Sequence, residues 1–281
     1  MLDGITGLDH VLIGVRDLAA AGAAYERLGF TLTPRGRHVG WSTGNACVMF
    51  PDDYVELIGV VDPTAASRSI ERRIAEAGDV GVGFALATDD ETIAFRSLAA
   101  AGLAPQANRL GRVIEAPEGT LEPRFALIQL PPEATPDLPI FVCRHLTPGL
   151  VRRPAWLAHA NTARRIAALL AVVADPAALR APYERLFGAA ALHDTDGVLT
   201  VRLGRTTLLV AGPDDAAALY PALDPSLFRV PSIAALTIAV ADPTATAAAL
   251  DAGGVRHDRE GDRLIVAAAD AAGVALEFAA G

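Results

Sequence analysis

Three polar side chains near the start of the chain have the types and spacing of a metal or acid–base site: His10, His38 and Glu56. His10 lies in the apolar run LDHVLIGV, and Glu56 lies in the apolar run YVELIGV. Both runs predict β-strands, in which alternate residues share one face. A histidine and a carboxylate brought together from two strands suit a divalent cation such as Zn²⁺, Mn²⁺ or Fe²⁺. Taken singly, His10 is more simply explained as a core residue and Glu56 as a solvent-facing strand residue.

A metal site needs at least a third protein ligand, and the run PIFVCRH offers one. Cys143 and His145 share a face of this predicted strand because they are two residues apart. With His10 and Glu56, His145 completes a two-histidine, one-carboxylate set that leaves open positions, an arrangement suited to Lewis-acid and oxygen chemistry. Two alternatives stay open: His145 lies beyond the strand in a polar linker, and Cys143 is a small core residue.

The predicted hairpin after the first helix supplies candidate catalytic and substrate-binding groups. His38, in the stretch GRH, is the candidate general base. His38 and Asn45 could also hydrogen-bond a substrate, and Arg144 could neutralise an anionic one. Turn formation explains GRH and TGN equally well, and solvated arginines are the ordinary case.

Composition narrows the classes of partner. The 281-residue chain has a formal net charge of −9, and all its basic residues apart from histidine are arginines. Such a chain lacks the basic patch that nucleic acids require, and its apolar runs are shorter than the roughly 20 residues of a membrane helix. Cys47 and Cys143 give no disulfide framework, and the first residues have no signal-peptide pattern. We therefore expect a cytoplasmic protein with a small-molecule ligand.

One pattern occurs four times along the chain: an apolar run, an acidic turn, an alanine-rich helix and a glycine. The acidic residue precedes the glycine by 12 residues in three copies and by 13 in the other. Further strand-like runs follow each helix, which gives βαβββ units. The acidic residues suit helix N-caps and the glycines suit left-handed C-caps; the pairs are Asp17 with Gly29, Asp90 with Gly102, Asp175 with Gly188, and Asp242 with Gly254.

Four tandem βαβββ units predict an α+β fold built as two paired lobes. The predicted parts are an N-terminal lobe over residues 1–135 with its last strand near 139–145, a linker over 136–163, and a C-terminal lobe over 164–281. His159 and Asn161 are expected to fix the linker. The position of His10 is occupied in the other units by Gly83, Ala168 and Ala235. The C-terminal lobe is therefore expected to be degenerate, and the oligomeric state stays open, with a homodimer as one alternative.

The motifs of the first unit resemble those of the vicinal oxygen chelate (VOC) superfamily, which includes glyoxalases, extradiol dioxygenases and bleomycin-resistance proteins. The similarity is greatest to the glyoxalase-like branch, over residues 1–163. It implies two open-barrel lobes of paired units, with a divalent metal inside and substrate oxygens chelating that metal. Gly83 departs from the four-ligand glyoxalase pattern and argues against lactoylglutathione isomerisation. The motifs that carry the resemblance are Leu8-Asp9-His10, Gly36-Arg37-His38, Asn45, and Tyr54-Val55-Glu56-Leu57.

Two hypotheses of function follow. In the first, the protein is a metal-dependent lyase, isomerase or dioxygenase acting on a small oxygen-rich metabolite. His10, Glu56 and His145 then hold the metal, and His38 moves the proton. In the second, the protein is a metal-free binding or sequestering protein of the bleomycin-resistance type, and His10 donates a hydrogen bond to an apolar or aromatic ligand. The third metal ligand distinguishes the two.

Overall fold

The computed structural model describes residues 1–65, 69–221 and 223–281, apart from the side chains of Ser69 and Leu227. Its seven helices, within these ranges, are α1 (Leu18–Arg27), α2 (Ser69–Ala77), α3 (Glu91–Ala100), α4 (Pro154–Leu157), α5 (Pro176–Phe187), α6 (Pro213–Leu219) and α7 (Pro243–Ala252). The strands before residue 150 are β1 (Gly7–Gly14), β2 (Gly36–His38), β3 (Thr43–Met49), β4 (Tyr54–Val60), β5 (Val80–Ala87), β6 (Gln106–Ala116), β7 (Gly119–Leu121), β8 (Arg124–Gln129) and β9 (Ile140–His145). The later strands are β10 (Ala163–Val172), β11 (Leu192–Thr195), β12 (Val198–Leu203), β13 (Thr206–Ala211), β14 (Ser232–Val240), β15 (Asp258–Glu260), β16 (Arg263–Val266) and β17 (Ala275–Ala280).

Eight strands of the N-terminal half close into a ring. Its order is β1, β4, β3, β2, β6, β8, β9 and β5, and β5 pairs again with β1. The pairings β1–β4 and β5–β9 are parallel, and the others are antiparallel. A closed ring has an interior toward which alternate residues point. The ring thus brings side chains from strands far apart in sequence into one enclosed space.

The C-terminal half arranges eight strands in the order β11, β12, β13, β10, β14, β17, β16 and β15. Within the described residues no pairing joins β11 to β15, so this sheet stays open. β14 also pairs with β5, at Ile233 and Gly81, which connects the sheet to the ring. The mixed arrangement of helices and strands confirms the α+β part of the predicted fold class.

The predicted helix boundaries are confirmed at four helices. The four acidic residues of the repeated pattern are N-caps, and each side chain accepts hydrogen bonds from the backbone N–H groups two and three residues later. The four glycines that follow the helices all have positive φ values, between 64° and 84°. A side chain at these glycines would be strained, which explains the residue type.

The two halves of the chain share one hydrophobic core. The largest apolar cluster contains residues of both halves, and the rings of Phe30 and Phe278 lie 5.9 Å apart. Asn161 donates to the carbonyl oxygen of Leu28 at 2.8 Å, and His159 contacts the carbonyl oxygen of Met49 at 2.9 Å. These bonds confirm that His159 and Asn161 fix the segment between the halves. No helix in the described part of the chain has the length and apolar character needed to cross a membrane.

Candidate functional site

The interior of the ring contains a cavity of about 820 Å³. One end is polar and carries the predicted residues His10, His38, Asn45 and Glu56. The rest of the wall is mostly apolar and includes Leu12, Ile58, Val82, Leu110, Phe125 and Phe141. Concave sites with a few convergent polar groups on an apolar wall are typical of small-molecule binding.

His10 and Glu56 form the centre of the polar end, and Asp9 contacts His10 from the side away from the cavity. Asp9 Oδ1 accepts a hydrogen bond from Nδ1 of His10 at 2.6 Å, and Nε2 of His10 lies 3.3 Å from Oε2 of Glu56. An ionised carboxylate cannot donate, so the proton on this bond belongs to Nδ1. Tyr54 stacks on the His10 ring with 4.4 Å between centroids, which fixes the plane of the imidazole. Glu56 is only 5% exposed, so it is not a solvent-facing strand residue.

Both carboxyl groups are ionised despite their burial. Burial alone raises the pKa of Asp9, but the neighbouring His145 and His10 lower it well below its usual range. Burial likewise raises the pKa of Glu56, and the imidazoles of His10 and His38, with hydrogen bonding, lower it overall. The adjacent imidazoles and hydrogen bonds together outweigh the loss of solvation at each carboxylate. Two buried negative charges therefore flank His10, that of Glu56 in the cavity wall and that of Asp9 behind it.

His38 is held in an orientation suited to accepting a proton. Its Nδ1 lies 2.8 Å from Oγ1 of Thr43, and its Nε2 lies 3.2 Å from Nδ2 of Asn45. Nδ2 of Asn45 also donates to Oε1 of Glu56 at 2.5 Å, which fixes the direction of the amide because a carboxylate only accepts. Facing an amide N–H, Nε2 of His38 acts as an acceptor. The turn explanation for His38 and Asn45 is thus insufficient, since both are buried in the cavity wall.

His145 and Arg144 lie outside the large cavity. Both line a second cleft, of about 550 Å³, to which Asp9 also contributes. Nε2 of His145 lies 3.3 Å from Asp9 Oδ1 and 3.3 Å from Oδ2, and the guanidinium of Arg144 pairs with Glu91. Cys143 pairs with Ala87 of β5, and Ala87 pairs with Gly7 at the beginning of β1. His145 lies two residues further on, at the end of β9. His145 therefore faces Asp9 and not Glu56, and the roles assigned to His145 and Arg144 stay predictions.

The missing ligand of the second unit has a steric cause. Gly83 lies opposite Leu12 in the pairing of β1 with β5, and it lines the cavity. A Cβ atom at this position would overlap the carbonyl oxygen of Pro139. No side chain, and hence no metal ligand, fits at position 83 without movement of the backbone.

Arg112 is a site residue that the sequence analysis missed. It lines the cavity from β6 and is only 3% exposed. Its NH1 atom donates to Sγ of Cys47 at 3.2 Å. Arg112 and the buried Ile114 are two residues apart and therefore lie on the same face of β6. A charged residue on the apolar face of a predicted strand was the sequence feature that could have identified Arg112.

His10 and Glu56 fit a divalent cation. With Nδ1 protonated, a neutral His10 presents the lone pair of Nε2 to an ionised carboxylate, and two acceptors at 3.3 Å require a proton or a cation between them. Asp9 is then the carboxylate that orients a metal-binding histidine. Among the described residues, one set of three potential ligands has its atoms within 4.8 Å of one another: Asp9, His10 and Cys143. His145 is not placed to share a cation with Glu56.

The closed ring, the outer helices and the buried histidine–carboxylate centre define a protein of the VOC type. The chain belongs to the glyoxalase-like domain family, whose model matches residues 8–187, more than half of its length. This confirms the resemblance drawn from the motifs. No protein with a curated description matches the chain in sequence.

Solved structures share the fold at low sequence identity. A hypothetical protein from Staphylococcus aureus has a TM-score of 0.69 and 10% identity, over 98% of this chain and 99% of that one. A mutant of 4-hydroxymandelate synthase from Streptomyces coelicolor has a TM-score of 0.62 and 12% identity, over 98% and 92%. A xylose isomerase-like TIM barrel/4-hydroxyphenylpyruvate dioxygenase fusion protein has a TM-score of 0.60 and 13% identity, over 99% of this chain and 49% of that one. Likeness at this identity shows the fold alone.

Proposed function

We propose that this protein is a divalent-metal-dependent enzyme that acts on a small oxygen-rich metabolite in the cavity of the ring. The observation that carries the proposal is the facing pair of His10 Nε2 and Glu56 Oε2, with Asp9 fixing the imidazole from the other side. The glyoxalase-like family and the names of two structural neighbours, a synthase and a dioxygenase fusion, support an enzyme. The reaction classes in keeping with this centre are lyase, isomerase and dioxygenase chemistry.

His10 and Glu56 are the proposed protein ligands of the cation, which is Zn²⁺, Mn²⁺ or Fe²⁺. When bound, such a cation polarises substrate oxygens and stabilises negative charge on them. Cys143 joins Asp9 and His10 in one compact group of potential ligands, a group that does not include Glu56. His145 would contribute only if it moved away from Asp9.

His38 is the proposed general base. Thr43 and Asn45 hold the imidazole so that Nε2 accepts a proton at the polar end of the cavity. Asn45 connects this base to Glu56, which would stabilise the imidazolium after proton transfer. The apolar wall would bind the remainder of the substrate and exclude water from the polar end.

The proposed function is tested by metal content. Wild-type protein and the variants His10→Ala and Glu56→Gln are stripped with EDTA, reconstituted separately with Mn²⁺, Fe²⁺ and Zn²⁺, and analysed for bound metal. We expect close to one ion per chain in the wild type and a loss of bound metal in both variants. His159→Ala is the control, because His159 is a half-buried histidine outside the cavity, and it should retain the metal. A wild type that retains no stoichiometric ion would contradict the proposal.

A metal-free binding protein is the second candidate, and the hydrogen bonding of Glu56 favours it. Its Oε1 already accepts the Asn45 amide at 2.5 Å, and both imidazoles lie within 3.5 Å of the carboxylate. In this alternative a second proton on His10, in place of the cation, joins Nε2 to Glu56. A ligand would then be bound mainly by the apolar wall, without turnover.

We also propose that the chain consists of four repeated units. The parallel pairings β1–β4, β5–β9, β10–β13 and β14–β17 each join the first and last strand of a predicted unit, which supports the four-unit origin and the division near residues 136–163. A cytoplasmic location and a homodimer stay predictions.

A further inference from the structure

We infer that the substrate is an organic carboxylate and that Arg112 binds its carboxylate group. The inference rests on the proposed function only in taking the ring cavity as the substrate site. It does not depend on a bound metal. The observations behind it are the burial of Arg112, the absence of a carboxylate in contact with its guanidinium among the described residues, and the way the fold directs its side chain.

The Arg112 guanidinium is a buried cation without a counter-ion in contact. Burial disfavours its charge, yet the net effect of its surroundings raises the pKa of Arg112, and Glu56 is the ionised group among them, so Arg112 is charged. Its hydrogen-bond partner is the Cys47 thiol, whose pKa is raised to about 11 by burial, so the sulfur is neutral. A thiol is a weak acceptor. Within the described residues no carboxylate oxygen lies within 4.0 Å of this guanidinium, and its Nε has no partner.

Leaving most of the donors of a buried guanidinium unused is costly. A guanidinium presents five N–H donors in a planar fork that matches a carboxylate. Glu56 does not fill this role, because its oxygens contact His10, His38 and Asn45. Phe125 covers one face of the guanidinium, with 5.7 Å between the charge and the ring centroid. The remaining donors are available to an acceptor that enters the cavity.

The fold directs Arg112 toward the reactive end. Arg112 lies opposite His38 in the pairing of β2 with β6, and its side chain crosses β2 at Gly36 to reach Cys47 on β3. A Cβ atom at Gly36 would come within 2.7 Å of Cδ of Arg112, so only glycine leaves this passage open. Cys47 is in turn the cross-strand partner of Glu56. The guanidinium therefore lies beside the proposed metal ligands, and a substrate could contact both with one end.

The apolar wall of the cavity indicates the chemical character of the part of this acid that lies beyond its carboxylate. Leu110, Leu127 and Phe141 are apolar wall residues near the strands that carry Arg112 and His10. Polar groups of a ligand that faced these three side chains would be left without hydrogen-bond partners. An acid with an aliphatic or aromatic body matches both ends of the cavity.

The test compares small acids with their neutral counterparts. A panel of aliphatic and aromatic monocarboxylates, such as benzoate and phenylacetate, and the matching primary amides are titrated into wild-type protein by ligand-observed NMR. Charge-assisted hydrogen bonds predict that the best carboxylates bind about tenfold to a hundredfold more tightly than their amides. Arg112→Met should abolish this preference, and Arg112→Lys should retain part of it. Arg109→Met is the matched control, because Arg109 is an exposed arginine on the same strand.

The outcomes distinguish this inference from the metal proposal. Titrations are made after EDTA treatment and again after reconstitution, so a protein that binds no metal can still show the Arg112-dependent preference. Binding of no carboxylate in the panel, equal binding of acids and amides, or a preference that survives Arg112→Met would overturn the inference. The melting temperature gives a readout that needs no ligand. Arg112→Met should leave it unchanged or raise it, because a buried charge without a partner is removed; a clear fall would identify Arg112 as structural.

Discussion

At the scale of single residues, the centre of the site is a chain of buried contacts: His145 to Asp9, Asp9 to His10, and His10 to Glu56. The pair of His10 and Glu56 was predictable because each lies in an apolar strand-like run and the motifs of the first unit bring the two runs together. The direction of His145 was not predictable, because it depends on the register of β9 against β5.

Asp9 should control the affinity for metal without binding the ion itself. Asp9→Asn removes the charge that holds Nδ1 of His10, and the loss of such an orienting carboxylate weakens metal binding by about tenfold to a hundredfold. The measurement is a competition titration of Zn²⁺ or Mn²⁺ against a chelator of known affinity. Asp53→Asn, at a buried aspartate outside the large cavity, is the control and should bind the ion like the wild type. An unchanged affinity in Asp9→Asn would show that Asp9 does not orient a ligand.

At the scale of elements, local sequence patterns were sufficient to predict the capped helices, but they did not predict which distant strands pair. Each acidic N-cap and each left-handed glycine is determined by a few neighbouring residues, so these helices were predictable from sequence. The pairing of β2 with β6 joins residues that are 74 to 78 positions apart, and no local pattern specifies it. That pairing closes the ring and directs Arg112 into the cavity, which is why Arg112 was missed.

Gly83 should be required by packing in β5. Gly83→Ala places a methyl group against the carbonyl oxygen of Pro139, and we expect a loss of about 1–3 kcal/mol in the free energy of unfolding. Urea denaturation measures the difference. Gly149→Ala is the matched control, because nothing lies within 4 Å of a Cβ there, and its stability should change little. Equal stabilities of the two variants would show that the backbone near Pro139 yields easily.

At the scale of the whole molecule, the halves are connected by a common core and by buried polar contacts. Oδ1 of Asp53, in the turn between β3 and β4, accepts a hydrogen bond from the backbone N–H of Ile166 in β10 at 3.1 Å. The repeat pattern predicted two lobes but gave no sign of this connection, because contacts between the halves depend on how the sheets are placed together.

Asp53 should make stability depend on pH. Burial raises the pKa of Asp53 to about 7 from an ordinary value of 3.8, so the folded state retains a proton that the unfolded state releases. The stability that depends on this retained proton is complete below about pH 4 and is lost as the pH rises to about 7, with a size of about 4 kcal/mol. Asp53→Asn keeps an acceptor for Ile166 and removes this loss. The free energy of unfolding is measured by urea denaturation at pH 5 and pH 8. Asp53→Asn should gain stability relative to the wild type at pH 8. Asp52→Asn, at the exposed neighbouring residue, should follow the wild type.

The central claim is that His10 and Glu56 bind a divalent cation inside the ring. Anomalous diffraction from crystals of the reconstituted protein, recorded on both sides of the zinc absorption edge, tests it most directly. We predict a single strong peak within bonding distance of His10 Nε2 and a Glu56 oxygen, and its other neighbours would identify the third ligand. A peak elsewhere in the molecule, or an empty space between these two side chains in crystals grown with excess zinc, would contradict the account.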